Sequence, residues 1–326
     1  VCYENLVGNY QISHIHLQNG LRIITRECHK QRDSQSTIPK DIVQVFRRLD
    51  VQAISITDFK VPYPDHACKE PIELLSVLPP TGYDSIEESI DFVLHLCRWL
   101  FRRAAASDSR PITQEDLIYT YKAVERWTLE IDRYFTAPNL RMKEQLPSPI
   151  GLLKMYQIIV TIIIATGVHS REMLHDDYLH KYQEVVALGE AMISVGQVSG
   201  LTSSANQFFC FDIGVIFPLF WAATKCRDSH TRRRALKLLS SVNHQEGAWK
   251  SSSAAKVAEF VIAVEEKGMS AGSGHIPETA RVHLVNMKAD TESGEIHVSC
   301  LLRSERDDSW CTREGQIQYP TEFWPA

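Results

Sequence analysis

The stretch Tyr156-Gln-Ile-Ile-Val-Thr-Ile-Ile-Ile-Ala-Thr-Gly-Val168 offers water almost no polar face. A helix that is apolar all round has to be enclosed, either by lipid or by other parts of its own chain. A membrane-spanning helix needs about 20 residues, and this run stops at Lys154 on one side and at His169-Ser170-Arg171 on the other. It therefore reads as the central helix of a soluble protein, and the rest of the sequence has to supply the layers that cover it. The segment from Phe208 to Cys226 is nearly as apolar, with Phe208, Phe209, Phe217, Phe220 and Trp221 among its residues, and reads as a second helix buried on every side.

The covering layers are legible from helical spacing. Tyr10, Leu17, Leu21, Ile24 and Cys28 recur at steps of seven, four, three and four, which places them on one face of a helix. A helix from Pro39 to about Ala53 would bury Ile42, Val45, Phe46 and Leu49. The segment Thr57–Tyr83 carries Pro62, Pro64, Pro71, Pro79 and Pro80, too many for a continuous helix, and reads as a loop wrapped over the body. Ser85-Ile-Glu-Glu88 is a capping box opening a helix to about Ala106, and Thr113-Gln-Glu-Asp116 opens another to about Phe135. After a linker from Pro138 to Pro149 come the apolar helix over 150–167, one from Asp176 or Asp177 to Val195, and two more at 229–242 and 249–266.

The C-terminal part changes period. Arg281-Val-His-Leu-Val-Asn-Met287 and Glu295-Ile-His-Val-Ser-Cys-Leu-Leu302 alternate around a turn at Thr291–Gly294, the pattern of a β-hairpin. The expected architecture is all-α: a helical-repeat-like multi-helix body over 1–275, with a small C-terminal β-hairpin and tail over 276–326 packed on it.

At 326 residues, with 44% hydrophobic and 23% charged residues, the chain has the composition of a large globular protein and not of a disordered one. A net charge of −5 argues against non-specific nucleic-acid binding, which draws on Lys and Arg. No direct nucleic-acid contact is expected from this chain. The eight cysteines, at 2, 28, 68, 97, 210, 226, 300 and 311, form no C-x2-C pair, so no zinc site is expected and they read as reduced thiols of an intracellular protein. No signal peptide opens the sequence.

The histidines fit no metal pattern. His14 and His16 are two apart and His175 and His180 five apart, neither of which places both on one helix face. Asp176 and His180 form an i,i+4 pair that could orient an imidazole, although Asp176 or Asp177 as a helix cap with a surface His180 explains the same residues. The basic stretch Lys225–Arg234 could bind phosphate or direct nuclear import. The plainer account is a helix capped by Asp228 and Ser229 whose arginines form a solvated face. There is no G-x-S-x-G elbow, phosphate loop, dinucleotide fingerprint or H-E-x-x-H, so catalytic residues stay unassigned and no cofactor is expected. What remains is shape: Trp99, Tyr156, Phe209, Phe217, Phe220 and Trp221 could line an apolar cavity between helices. Asp212, beside the most apolar helix, could there serve as an acid or as an anchor.

Several segments taken together carry a resemblance. They are Gly8-Asn9-Tyr10, His16-Leu17-Gln18-Asn19-Gly20-Leu21-Arg22-Ile23, Phe46-Arg-Arg-Leu49-Asp50-Val-Gln52-Ala53, and Phe211-Asp212-Ile-Gly214-Val-Ile216 with Pro218-Leu219. Thr224-Lys225-Cys226-Arg227-Asp228 follows, leading to Arg232-Arg233-Arg234-Ala235, Leu238-Leu239, Glu246-Gly247 and Trp249. In this order they resemble the C-terminal regulatory region of fungal zinc-cluster transcription factors across nearly the whole chain. The family's DNA-binding element, six closely spaced cysteines ahead of this region, does not occur in the sequence. The chain then reads either as part of a longer regulator or as the helical body kept alone.

The resemblance implies a regulatory domain that binds partners or a hydrophobic small molecule, with DNA contact supplied elsewhere, and that could form a homodimer. A nuclear location would follow. The alternative is a stand-alone, cytosolic, cofactor-free enzyme of fungal secondary metabolism, such as a Diels–Alder-type pericyclic cyclase. That chemistry needs a pocket able to hold a flexible apolar substrate near its reactive conformation. Neither reading involves a membrane.

Overall fold

The computed structural model describes residues 1–6, 9–30, 38–56, 83, 85–105, 113–136, 148–167, 171–198, 208–210, 212–269, 275–290, 293–304 and 309–318. Of the Thr57–Tyr83 segment residues 57–82, and of the Pro138–Pro149 linker residues 138–147, lie outside the described residues.

The protein is mainly helical. A short α1 (Cys2–Leu6) precedes α2 (Tyr10–Lys30) and α3 (Lys40–Ile56); α4 (Ile86–Ala105), α5 (Gln114–Thr136) and α6 (Ser148–Thr166) follow. The 3-10 helix Glu172–Tyr178 leads into α7 (Leu179–Val198), and α8 (Ile216–Lys225), α9 (Ser229–Ser241) and α10 (Ser251–Lys267) complete the body. The expected caps form. Ser85 Oγ accepts the Glu88 N–H at 3.2 Å. Thr113 and Asp116 exchange hydrogen bonds, Asp116 N to Thr113 Oγ1 at 3.1 Å and Thr113 N to Asp116 Oδ2 at 2.9 Å, so two of the amide groups orphaned at the helix start are satisfied.

Helix α6 occupies the centre as its sequence demands. Met155, Ile159 and Ile162 are fully buried, and the helix packs against α4, α5, α7 and α8. Neighbouring helices cover one another in turn, α3 on α4, α7 on α8 and α9, α8 and α9 on α10. A smaller cluster of Leu17, Leu21, Leu49 and Ala53 joins α2 to α3. Among the described residues no helix is long and apolar enough to cross a membrane.

Three features differ from the expectation. The segment over 208–226 is not one helix: Phe208–Cys210 is strand β1, and α8 begins only at Ile216. Strand β1 needs a partner far along the chain, and finds it in a three-stranded sheet with β2 (His244–Glu246) and β3 (Trp249–Lys250), parallel to β2 and with β2 antiparallel to β3. Second, α7 starts at Leu179 and not at Asp176 or Asp177, because the preceding residues wind as the 3-10 turn. Third, the C-terminal hairpin of β4 (Val282–Asp290) and β5 (Glu295–Arg303) gains a third antiparallel strand, β6 (Trp310–Gln318). One core is continuous from α3, which supplies Val51 and Ile54, to this sheet, which contributes Val282, Val285, Ile296, Val298, Cys300 and Leu302.

Candidate functional site

The small sheet and the start of α8 meet α3 at one place, and the register explains which side chains arrive there. Cys210 stands opposite Glu246, and Phe208 opposite His244. Side chains alternate along a strand, so Cys210, His244 and Glu246 share a face. Gln245 turns the other way, its amide donating to the Asn5 and Gly247 carbonyls at 3.0 Å each. The buried Glu246 carboxylate accepts the Ile216 N–H at 3.3 and 3.2 Å, placing a negative charge at the positive end of α8. Gly214 makes this approach feasible, because a Cβ there would collide with that carboxylate. Pro218 follows within the first turn of α8, where its missing N–H costs nothing.

Asp212 sits at the rim. Its Oδ2 accepts from Arg48 at 2.7 Å, Oδ1 accepts the Ile213 N–H at 3.1 Å, and its carbonyl accepts from Gln52 at 2.8 Å. With a side chain 48% exposed, it anchors α3 to the loop before α8 and is not shut into an apolar cavity.

Behind it lie the rings. Phe217 is central, with centroids 6.2 Å from Tyr156, 5.9 Å from Trp221, 6.1 Å from Trp249 and 5.7 Å from Phe101. Phe220 meets Trp249 at 5.0 Å. Four of the sequence candidates, Tyr156, Phe217, Phe220 and Trp221, thus come together. Phe209 is half-buried on β1, and Trp99 packs partly buried at the margin of the core. The space left among Gln52, Ser55, Tyr156, Phe217, Glu246 and Trp249 is about 10 Å³, the size of one water. Phe101, Trp249, Gln52 and Glu246 were not among the candidates. Gln52, Glu246 and Trp249 fall in the family-like segments, but their convergence depends on pairing across the fold; the Trp249 indole donates to Ser55 Oγ at 2.8 Å.

The larger polar feature lies between the helices and the C-terminal sheet. Glu172 accepts from Lys225 at 2.8 Å and from Arg227 at 2.9 Å. Glu265 accepts from Arg227 at 2.7 Å, from Arg232 at 2.6 Å and from the Val282 N–H at 2.8 Å. Lys225 also donates to the carbonyls of Val282 and His283, and Arg281 forks onto Asp176 with two bonds of 2.7 Å. The reading of Lys225–Arg234 as a solvated face is thereby corrected for Lys225, Arg227 and Arg232, whose side chains are buried. It holds for Arg233 and Arg234, which pair at the surface with Glu266 and Glu190. The Asp228 cap forms, accepting the Thr231 N–H at 2.8 Å. Asp176 is an ion-pair partner and not a cap, and His180 is exposed.

Charge in this belt is set by its neighbours. Burial alone would raise the Glu172 carboxyl, but Lys225 and Arg227 hold it down at about 2. His175, whose Nδ1 lies 2.7 Å from the Tyr182 hydroxyl, is kept neutral by burial, which lowers it to about 3 against the pull of Glu172. The belt is a charge-compensated seam fastening α8, α9 and α10 to the sheet.

Against known proteins, no protein-family signature and no solved structure matches the chain. The aspercryptin biosynthesis cluster-specific transcription regulator of Emericella nidulans is 20% identical over a 374-residue alignment that takes in 87% of this chain and 61% of the relative. The chain thus spans 61% of that relative's length and, over most of its own, is similar to a fungal transcription regulator.

Proposed function

We propose that this chain is the regulatory body of a transcription regulator, receiving a signal through a partner or a hydrophobic small molecule while DNA contact is made elsewhere. The observation that carries the reading is the alignment with a fungal cluster-specific regulator over 87% of this chain. Support comes also from where the family-like segments fall. Lys225, Arg227 and Arg232 build the charged seam, and Glu246-Gly247 with Trp249 builds the cap and hairpin behind α8. They are residues on which such a body's interior depends. A nuclear location follows from this function.

A small hydrophobic effector would enter at the rings around Phe217. A drug-sized ligand takes a pocket of about 300–1,000 Å³, so it would have to part those rings. A macromolecular partner on the helical surface needs no such rearrangement.

The test is transfer. The chain is fused to an unrelated DNA-binding domain and placed on a reporter carrying the matching operator in a filamentous fungus. A reporter level raised or lowered relative to the DNA-binding domain alone is expected. A fusion that is expressed, nuclear and bound to the operator, yet leaves transcription unchanged under every growth condition tried, would refute the proposal.

A further inference from the structure

Cys210 differs from the other described cysteines in its surroundings. Cys97, Cys226 and Cys300 are buried, and burial pushes the thiols of Cys97 up to about 12 and Cys226 to about 11, which leaves them unreactive at neutral pH. Cys210 is half-buried, with its Sγ 3.8 Å from Nε2 of His244. The same Nε2 lies 3.3 Å from Glu246 Oε1. While it carries its proton, the thiol can also donate to the Asp212 carbonyl, at 3.7 Å. The strand register fixes this trio, and Glu246 is held in place by the Ile216 N–H.

A cationic imidazole against sulfur favours the thiolate, the nucleophilic form. Burial opposes a charged ring here, yet Cys210 and Glu246 beside it outweigh burial and bring His244 to about 9. The proposed regulatory function makes no use of Cys210 or His244.

We infer that Cys210 is a modification site for α,β-unsaturated carbonyl electrophiles, activated by His244, whose Nε2 faces both Cys210 and Glu246. The sulfur forms a C–S bond to the β-carbon, the C=C electron pair moves onto the α-carbon as an enolate, and His244 Nε2 delivers its proton there. Nothing leaves and no oxidant is required. The histidine serves both halves of the step, stabilising the thiolate before addition and supplying the proton after it.

The probe is N-ethylmaleimide, added in limiting amount to the whole chain at neutral pH, with each cysteine's adduct followed by mass spectrometry. Cys210 is expected to react about tenfold faster than Cys2 and Cys311, the other half-buried thiols among the described residues. His244→Gln is expected to slow Cys210 about tenfold and leave Cys2 and Cys311 unchanged. Equal rates for the three thiols, or a Cys210 rate indifferent to His244→Gln, overturns the proposal. Should the variant unfold, Cys97, Cys226 and Cys300 become labelled, and the wild-type pH profile then decides. A Cys210 rate that stays ahead of Cys2 and Cys311 across about pH 6 to pH 8 supports the assignment, whereas a rate that follows theirs in parallel overturns it. This outcome is independent of the reporter experiment, so either reading can fail alone.

Discussion

Glu265 joins the α8–α9 connection, α9 and the C-terminal sheet to α10 at one buried carboxylate. It is wholly buried, binds two guanidinium groups and accepts the amide that starts the C-terminal sheet. Removing one member of such a group leaves the others charged in a medium that cannot solvate them. Glu265→Ala is expected to cost about 3–5 kcal/mol, read as a lower urea midpoint at unchanged slope, and a loss under about 1 kcal/mol would mean that water reaches the seam. This seam was partly readable in the sequence. Arg232 precedes Ala235 and Leu239 by three and seven residues, and Glu265 follows Val261 and Ile262 by four and three, so each lies on the buried stripe of its own helix. A charge on an apolar stripe is the signature of a buried pair, but which acid meets which base is decided between helices, where a single sequence holds no information.

At the scale of elements, helices were legible wherever one face was apolar and a cap opened it, as at Ser85 and Thr113. Strands were legible only where alternation was strong. Strand β6 escaped because, as an edge strand with mostly exposed side chains, Trp-Cys-Thr-Arg-Glu-Gly-Gln-Ile-Gln needs little apolar content. Strand β1 is hidden in the sequence because its pairing with β2 spans a long stretch of chain and Asp212-Ile-Gly214 is a short break between two apolar runs. The ring candidates were found for a general reason, that large aromatics on apolar helices converge. Their packing to about 10 Å³ of remaining space depends on Phe101 and Trp249 from other elements.

The β2–β3 turn gives an element-scale prediction. Gly247 has φ +56° and its N–H donates to the Cys210 carbonyl at 2.7 Å, while a Cβ would overlap the Gln52 amide. Gly247→Ala is expected to cost about 1–2 kcal/mol from the left-handed backbone alone, and more if Gln52 must release Asp212. Amide exchange should quicken at Gly247 and Gln245 before it does in α6; a uniform change would place the strain elsewhere. Phe217→Ala, which removes the ring that the others surround, is expected to cost about 3–5 kcal/mol. If the void stays open, addition of a small apolar solute such as benzene should recover part of the loss in a thermal melt.

For the whole molecule, the buried titrating groups predict how stability responds to pH. Glu172 and His175 have folded values depressed to about 2 and about 3 from 4.5 and 6.5. Both therefore contribute stability above their unfolded values that is lost as pH falls, His175 first, below 6.5, and Glu172 below 4.5. His244 has the opposite sign. Its folded value is raised to about 9 from 6.5, so its contribution is complete below 6.5 and disappears as pH rises through about 9. Stability should therefore peak near the ordinary histidine value and decline on both sides. On the acid side the seam acts together with His14 and His283, which burial also lowers, and on the alkaline side the Cys210–His244–Glu246 cluster acts. Thermal melts across this range should show His244→Gln flattening the alkaline limb alone, and His175→Gln flattening the upper part of the acid limb alone. Variant curves that merely shift down in parallel with the wild type would mean that neither histidine changes its proton affinity on folding, and the charge states assigned to both regions would have to be withdrawn.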